Sequence, residues 1–117
     1  MKKINIIKKN EEFSRIIHNC RYIKNDLYVI YIEKNENFDK YHFGISVSKK
    51  VGNAVTRNKV KRQIKDIIDK YIYQNNFNCI IIVGKGINER TFEERKENLL
   101  IALNNLNLIK EKVHEEK

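Results

Sequence analysis

The sequence predicts an α+β fold in the order helix, two or three strands, helix, strand, helix, with the helices packed on one small sheet. Three observations support this. Apolar residues recur at helical spacing in three segments, β-branched and aromatic residues alternate in short runs, and one run is apolar throughout. A length of 117 residues and 41% hydrophobic content indicate a single folded domain over residues 1–117. A two-domain enzyme and a disordered chain are both excluded.

The first helix is predicted to begin at Asn10, whose side chain can cap it. Phe13, Ile16, Ile17 and Cys20 then follow at the spacing of one apolar helical stripe. A phenylalanine in such a stripe, taken alone, is more often a core residue than a binding residue.

Two strands are predicted over residues 27–33 and 42–48, where successive side chains point to opposite faces. We expect them to pair as an antiparallel hairpin whose core face carries six apolar residues: Tyr28, Ile30, Ile32, Phe43, Ile45 and Val47. The opposite face places Val29 and Tyr31 beside Gly44, Ser46 and Ser48. An aromatic ring among small polar residues predicts a groove.

The second half of the chain predicts a long helix over residues 53–75 and a strand over residues 79–83 that is covered on both faces. A third helix should begin after Thr91, which caps it, with acidic residues in its first turn. Residues 110–117 are predicted to form a frayed tail.

The excess positive charge, +9 over the whole chain, lies mainly in residues 1–24 and residues 49–65. Residues 86–117 hold six basic and seven acidic residues, whereas residues 49–65 hold no acidic residue. Such an excess favours a polyanionic partner. The seven basic residues of this stretch are Lys49, Lys50, Arg57, Lys59, Lys61, Arg62 and Lys65.

Helical geometry places most of these cations on one face. At about 100° per residue, with Arg57 at zero, Lys61, Lys65 and Arg62 fall near 40°, 80° and 140°, with the amide of Asn58 between them and Lys59 at the edge. Apolar residues occupy the adjoining sector. A solvated basic face is one interpretation, but such faces mix charge signs. Membrane binding would need exposed bulky apolar residues. Nucleic acid fits the pattern best.

Other motifs predict no protein active site and no protein metal site. Cys20 and Cys79 lack the spacing of a disulfide framework or zinc site, and the histidines are far apart. The Gly84-Lys85-Gly86 tripeptide lacks the frame of a phosphate loop and is interpreted as a turn. The chain carries neither a signal peptide nor a run of about 18 apolar residues, so we expect a cytoplasmic protein without a membrane partner.

Residues 44–62, GISVSKKVGNAVTRNKVKR, resemble the signature of the bacterial ribonuclease P protein subunit. Its Arg-Asn-x-x-Lys-Arg core falls on Arg57, Asn58, Lys61 and Arg62. The opening KKNEEF of residues 8–13, the length and the element order are also similar to that family.

The resemblance implies a protein that binds the catalytic RNA of ribonuclease P and the 5′ leader of precursor tRNA, promoting endonucleolytic removal of the leader. The RNA would carry the catalytic centre and its Mg²⁺, and the protein would need neither catalytic residues, a bound cofactor nor an obligate protein partner. The resemblance implies RNA contacts at Arg57, Asn58, Lys61, Arg62 and Lys65, and the charge pattern adds Lys49, Lys50 and Lys59. It implies leader-cleft residues at Phe13 and Tyr31, to which we add Ile17 of the same helix stripe and Ser46 and Ser48 of the predicted groove.

The resemblance also implies the order αβββαβα, in a two-layer sandwich with a small mixed sheet of about four strands. The long helix would form a left-handed crossover, as in the second domain of a small-subunit ribosomal protein. Two residues depart from the family pattern. Ile17 stands where the family often has an aromatic residue, and Lys65 stands where arginine is common, so it keeps the charge but loses the bidentate fork.

Two alternatives remain open. A non-enzymatic RNA-binding or ribosomal-type protein would bind RNA without any gain in precursor processing. A protein-only nuclease would need a metal-carboxylate cluster or paired histidines, and the sequence shows neither.

Overall fold

In the computed structural model, residues 5–113 are described, and they form three helices, a four-stranded mixed sheet and a two-stranded sheet. In chain order the elements are α1 (Asn10–Asn19), β1 (Tyr22–Lys24), β2 (Tyr28–Lys34), β3 (Tyr41–Val47), α2 (Ala54–Asp69), β4 (Tyr71–Tyr73), β5 (Phe77–Val83), α3 (Phe92–Asn105) and β6 (Ile109–Lys112). Short 3₁₀ turns lie at Lys49–Val51 and Lys85–Glu89. The predicted α+β class is confirmed.

The four-stranded sheet has the order β1-β2-β5-β3. The predicted hairpin between β2 and β3 is wrong, because β5 lies between them, antiparallel to β2 and parallel to β3. The apolar β5 needs neighbours on both edges to satisfy its backbone, so it occupies the centre. The parallel pairing requires a crossover connection, which α2 supplies.

The main core lies between one face of this sheet and the helices α2 and α3. The predicted inward residues of β2 and β3 are there, with Val47 only partly buried. These residues face the core as predicted although the strand pairing was wrong, because the alternation within each strand decides which side chains share a face. The opposite face carries a smaller cluster around Ile16 and Ile80, covered by α1. The predicted two layers therefore describe the sheet with α2 and α3, and α1 adds cover on the other face.

The helix α2 is shorter than predicted and ends at Asp69. Continued as a helix, the chain would turn Tyr73 toward the basic face, about 160° from Arg57. As part of β4, Tyr73 is instead buried, with its ring centroid 5.0 Å from that of Phe43, and its hydroxyl donates to the Ile68 carbonyl at 2.6 Å. Burial of this aromatic ring ends the helix.

One of the two predicted caps is confirmed, that of Thr91, and Asn53 caps α2 without having been predicted to do so. The Asn53 side chain accepts from the Thr56 amide, and Thr91 forms a capping box with Glu94. Asn10 is the first helical residue and not the cap; Lys9 precedes the helix without a side-chain cap bond.

The predicted tail is wrong for residues 110–112, which belong to β6 and pair with β4. The Val113 amide also donates to the Lys70 carbonyl at 2.8 Å. Residues 114–117, with His114 and the rest of the predicted tail, lie outside the described residues. Within residues 5–113, no helix is long and apolar enough to cross a membrane.

Candidate RNA interface

The helix α2 separates its apolar and basic residues as its spacing predicted. Val60, Ile64, Ile67 and Ile68 are buried beneath it. The predicted RNA-binding residues occupy the remaining surface over the 16-residue helix: Asn58, Lys59 and Arg62 are exposed, and Arg57, Lys61 and Lys65 are half-buried. At about 1.5 Å per residue the helix is about 24 Å long, enough to follow several phosphates.

These cations are electrostatically unsatisfied within the described part of the chain. None of the seven basic residues of 49–65 forms an ion pair there, whereas Arg15 pairs with Glu33 and Arg90 with Glu94. The Nε of Arg57 is also buried without a hydrogen-bond partner among residues 5–113. The α2 face is thus a strip of positive charge that the fold itself does not neutralise.

The N-terminal end of α2 adds to this field. Lys49 and Lys50 are exposed on the 3₁₀ turn just before the helix. The Ser48 hydroxyl accepts from the Lys50 amide at 3.2 Å. Ser48, predicted for the leader cleft, is therefore used as a cap of this turn. The positive end of the helix dipole reinforces the two lysines as an attraction for anions.

A groove of about 760 Å³ joins α1, β3 and α2. Its outer wall is the N-terminal segment, where the Ile7 amide donates to the Phe43 carbonyl at 2.8 Å and extends the edge of β3. The groove is lined by Ile6, Ile7, Lys8, Asn10, Phe13, Phe43, Ile45, Ser46, Lys61 and Lys65. Two predicted cleft residues and two predicted RNA contacts therefore share one cavity, which we call the α1–α2 groove.

Phe13 reaches the sheet because position 44 has no side chain. A Cβ on Gly44 would lie 2.6 Å from the Phe13 Cζ, well inside van der Waals contact. The glycine therefore allows the ring to rest on the backbone of β3. Phe13 is both part of the smaller core cluster and a wall of the α1–α2 groove.

Strand register sets the floor beneath α1 as three rows across β2, β5 and β3. In the first row, Ile82 lies between Val29 and Ser46; in the second, Ile80 lies between Tyr31 and Gly44. The third row is Glu33, Asn78 and His42. The predicted groove with Tyr31 directly beside Ser46 is wrong, because β5 separates them.

Tyr31 and Ile17, both predicted for the cleft, lie on the face of the sheet that α1 covers. Both are half-buried and pack on the cluster of Ile7, Ile16 and Ile80. The aromatic ring of Tyr31 and the ring of Phe13 are thus placed along one side of the sheet by α1. Ser46 is exposed in the first row and provides a small polar position near the α2 lysines.

The third row is a polar network that sequence reasoning missed. Arg15 of α1 donates to Glu33 (Nη2 to Oε1, 3.0 Å), and Asn78 Nδ2 donates to the same oxygen at 3.0 Å. Asn78 is only 7% exposed, and its Oδ1 lies 3.0 Å from His42 Nδ1. A carbonyl oxygen only accepts, so that imidazole nitrogen carries the hydrogen.

The network ties α1 to three strands. The hydrogen bond from Arg15 holds the pKa of Glu33 below its ordinary value and raises the pKa of Arg15 itself. Sequence spacing could not reveal it, because its four residues belong to four different elements. The one available signal is Glu33, a carboxylate at the end of an otherwise apolar strand.

Metal-ligating residues are not gathered in the described part of the chain. Among residues 5–113, no group of three or more histidines, cysteines, aspartates or glutamates is placed to hold an ion. Cys20 and Cys79 are free thiols.

Comparison with known proteins identifies the family. The family described as Ribonuclease P matches residues 1–107. The chain belongs to the ribonuclease P protein family. A ribonuclease P protein component of Mycoplasma capricolum is 46% identical over 107 residues, covering 88% of this chain and 95% of the relative. One of Mesoplasma florum is 40% identical over 102 residues, covering 85% and 92%.

The fold agrees with this assignment. The structure of the Staphylococcus aureus RNase P protein at 2.0 Å superposes with a TM-score of 0.79 at 31% identity, over 91% of this chain and 98% of that one. The resemblance of residues 44–62 to the ribonuclease P signature is confirmed. This chain is the protein subunit of an endoribonuclease of tRNA 5′ processing, and its family implies association with the ribonuclease P RNA.

Proposed function

We propose that this chain holds the catalytic RNA on the basic face of α2 and the 5′ leader of precursor tRNA in the cleft between α1 and the sheet. The α1–α2 groove carries this proposal, since Phe13 and Ser46 of the cleft line it together with Lys61 and Lys65 of the basic face. A single strand leaving the catalytic RNA could pass through it into the cleft without crossing an acidic surface.

The charge of α2 supports the RNA contact. Cations without internal ion pairs release the counterions of a phosphate backbone on binding, so affinity falls with salt in proportion to the phosphates neutralised. Arg62 is exposed and offers a planar guanidinium that matches phosphate oxygens. Lys49 and Lys50 extend the same contact beyond the start of α2.

The cleft supports a single-stranded ligand. Phe13 and Tyr31 are half-buried aromatic rings held by packing, so little rotamer freedom is lost when a base stacks on them. Such stacking contributes about 1–3 kcal/mol per base and tolerates different bases. A leader of varied sequence suits this kind of site.

Catalysis in this proposal belongs to the RNA, which carries the Mg²⁺ ions, while this chain binds and positions. The protein would act in the cytoplasm with the ribonuclease P RNA and precursor tRNA as its partners, with neither a membrane nor an obligate protein partner.

The proposal is tested by cleavage of precursor tRNA at low Mg²⁺ with the cognate RNA, with and without the protein. We expect the protein to increase cleavage and to tighten binding of precursor tRNA over mature tRNA. Tyr31→Ala should reduce that preference with little change in salt dependence. Arg62→Gln should make the salt slope shallower by about one charge, whereas Lys110→Gln, on β6 and outside the proposed RNA contacts, should not.

The outcomes separate the alternatives. Equal binding of precursor and mature tRNA would refute the leader site. RNA affinity without any gain in cleavage would favour a non-enzymatic RNA-binding protein. Mg²⁺-dependent cleavage by the protein freed of RNA would show a protein-only nuclease.

A further inference from the structure

The edge strand β1 carries an exposed aromatic ring beside the cleft. Tyr22 is 57% exposed, although rings of this size normally bury most of their surface. It is the cross-strand partner of Tyr31, and the two ring centroids are 5.2 Å apart with the planes inclined by 44°. Its hydroxyl makes no hydrogen bond within residues 5–113, so no polar contact of the fold explains its position.

Register extends the rows beneath α1 onto β1. Tyr22 continues the row of Tyr31, and Lys24 is the partner of Val29 in the first row. Both β1 side chains therefore face the cleft, while Ile23 between them faces the other way. With neighbouring strands about 4.8 Å apart, the first row runs about 14 Å from Ser46 to Lys24.

Exposure along the first row indicates an open channel. Ser46 and Lys24 are exposed at its ends, and Ile82 and Val29 are half-buried between them. In the second row Ile80 is fully buried, because α1 covers it. The open row thus begins near the α2 lysines and ends at a cation, with Tyr31 and Tyr22 along its side.

We infer that Tyr22 and Lys24 extend the leader site onto β1, so that an upstream leader nucleotide stacks its base on Tyr22 and places its phosphate near Lys24. This inference rests on the proposed leader function and adds a subsite to it. Its ligand is single-stranded RNA. An exposed ring supported by a second ring is a ready stacking platform, and the adjacent ammonium supplies the charge for the backbone.

Ile17 of α1 provides no aromatic stacking surface near Tyr31. Ile17 is aliphatic and packs on the same cluster as Tyr31, so it offers no ring to a base. The second stacking surface near Tyr31 comes from Tyr22.

The test measures binding of the assembled protein–RNA complex to precursor tRNAs whose leaders are lengthened one nucleotide at a time. We expect Tyr22→Ala to reduce affinity at least fivefold, the lower end of the stacking range. The loss should appear only above a threshold leader length, and Tyr22→Phe should retain affinity. Lys24→Gln should make the salt slope shallower by about one at the same lengths.

The matched control is Ile23→Thr, which alters the same strand on its opposite face. It should leave affinity unchanged at every leader length. Thermal unfolding of each variant measures any loss of stability caused by removing the ring that packs on Tyr31.

Two results would overturn the inference while leaving the leader function intact. One is an unchanged affinity for Tyr22→Ala at all lengths. The other is an equal loss at all lengths, mature tRNA included, which would mean that Tyr22 only supports the fold. If the unmodified complex shows no preference for any leader over mature tRNA, the proposed function itself fails.

Discussion

Gly44→Ala tests whether the contact between α1 and β3 shapes the cleft. The added Cβ would lie 2.6, 3.0 and 3.2 Å from three carbons of the Phe13 ring. Carbon atoms prefer separations of about 3.5–4.0 Å, so the ring would have to move by about 1 Å. Nothing in the backbone resists the change, because Gly44 lies in β3 and is not among the residues with positive φ.

The expected loss of stability follows from two opposing effects. Inserting a methyl group into a packed site costs about 1–3 kcal/mol. Alanine also has less conformational freedom than glycine in the unfolded chain, which stabilises the folded protein by about 0.4–1 kcal/mol. We therefore expect a net loss of about 1–2 kcal/mol, or roughly 4 °C in Tm per kcal/mol for a domain near this size.

The assay combines urea unfolding of the free protein with binding of precursor and mature tRNA to the assembled complex. Because Phe13 also lines the α1–α2 groove, displacing its ring should reduce the preference for precursor tRNA several-fold. In a Phe13→Leu background the smaller side chain leaves room, so Gly44→Ala should cost at least about 1 kcal/mol less there.

Gly84→Ala is the matched control. Its φ is −94°, and the nearest atom to a new Cβ is the Leu27 carbonyl oxygen at 3.8 Å, an ordinary contact. This variant should be neutral or slightly stabilised. The steric account is refuted if Gly44→Ala is as stable as Gly84→Ala, or if its cost is the same with and without the Phe13 ring.

Two further predictions concern titratable groups. Since the Arg15 hydrogen bond lowers the pKa of Glu33 in the folded state, Glu33 stabilises the protein above the ordinary carboxyl pKa of about 4.3, and that contribution is lost as the pH falls through the lower folded pKa. The stability difference between the unmodified protein and Glu33→Gln, measured by urea unfolding from pH 7 to 2, should therefore shrink toward acid; a constant difference would contradict the ion pair. Burial raises the pKa of the Cys79 thiol, so its alkylation at pH 8 should track global unfolding and accelerate with urea, while Cys20, which is partly exposed, should react without unfolding. Rapid urea-independent labelling of Cys79, located by mass spectrometry, would show that the strand β5 opens locally.

The sequence predicts which side chains share a face of each strand, but it does not predict which strands are neighbours in the sheet. Whether Ile30 or Tyr31 faces the main core depends only on the alternation of a pleated strand, which is local. The choice of β5 as the neighbour of both β2 and β3 depends on a segment more than 30 residues away from β3 along the chain. A hairpin was the simplest pairing of adjacent strands, and the apolar β5 displaced it.

Short strands escaped prediction for a related reason. The elements β1, β4 and β6 have three or four residues each, too few for a periodic pattern. Tyr71 lies about 320° from Arg57 in helical geometry, within the apolar sector of α2, so the spacing predicts a helix through it. The segment takes its extended form from the burial of Tyr73 and from the pairing of β4 with β6, which lies more than 30 residues further along the chain.

In the candidate site, too, the sequence predicts what depends on one segment of the chain and not what depends on several. The cations of α2 belong to one helix, so their angles about its axis were enough to place them. The cleft needs Phe13 of α1 against Gly44 of β3, and the third-row network needs four elements; neither arrangement follows from any one segment. Only the resemblance to the ribonuclease P family pointed to Phe13 as a cleft residue.

The angular positions of the basic residues around the axis of α2 also explain how one helix could contact both RNAs of the proposed function. Lys61 and Lys65, about 40° and 80° from Arg57, adjoin the apolar sector, are half-buried and line the α1–α2 groove. Arg62 and Lys59, at about 140° and 200°, are exposed and point away from it. In the proposed function, Lys61 and Lys65 would therefore be the α2 cations closest to a strand in the cleft, and Arg62 and Lys59 would contact the body of the catalytic RNA. Adjacent arcs of the same helix would then separate the two proposed contacts.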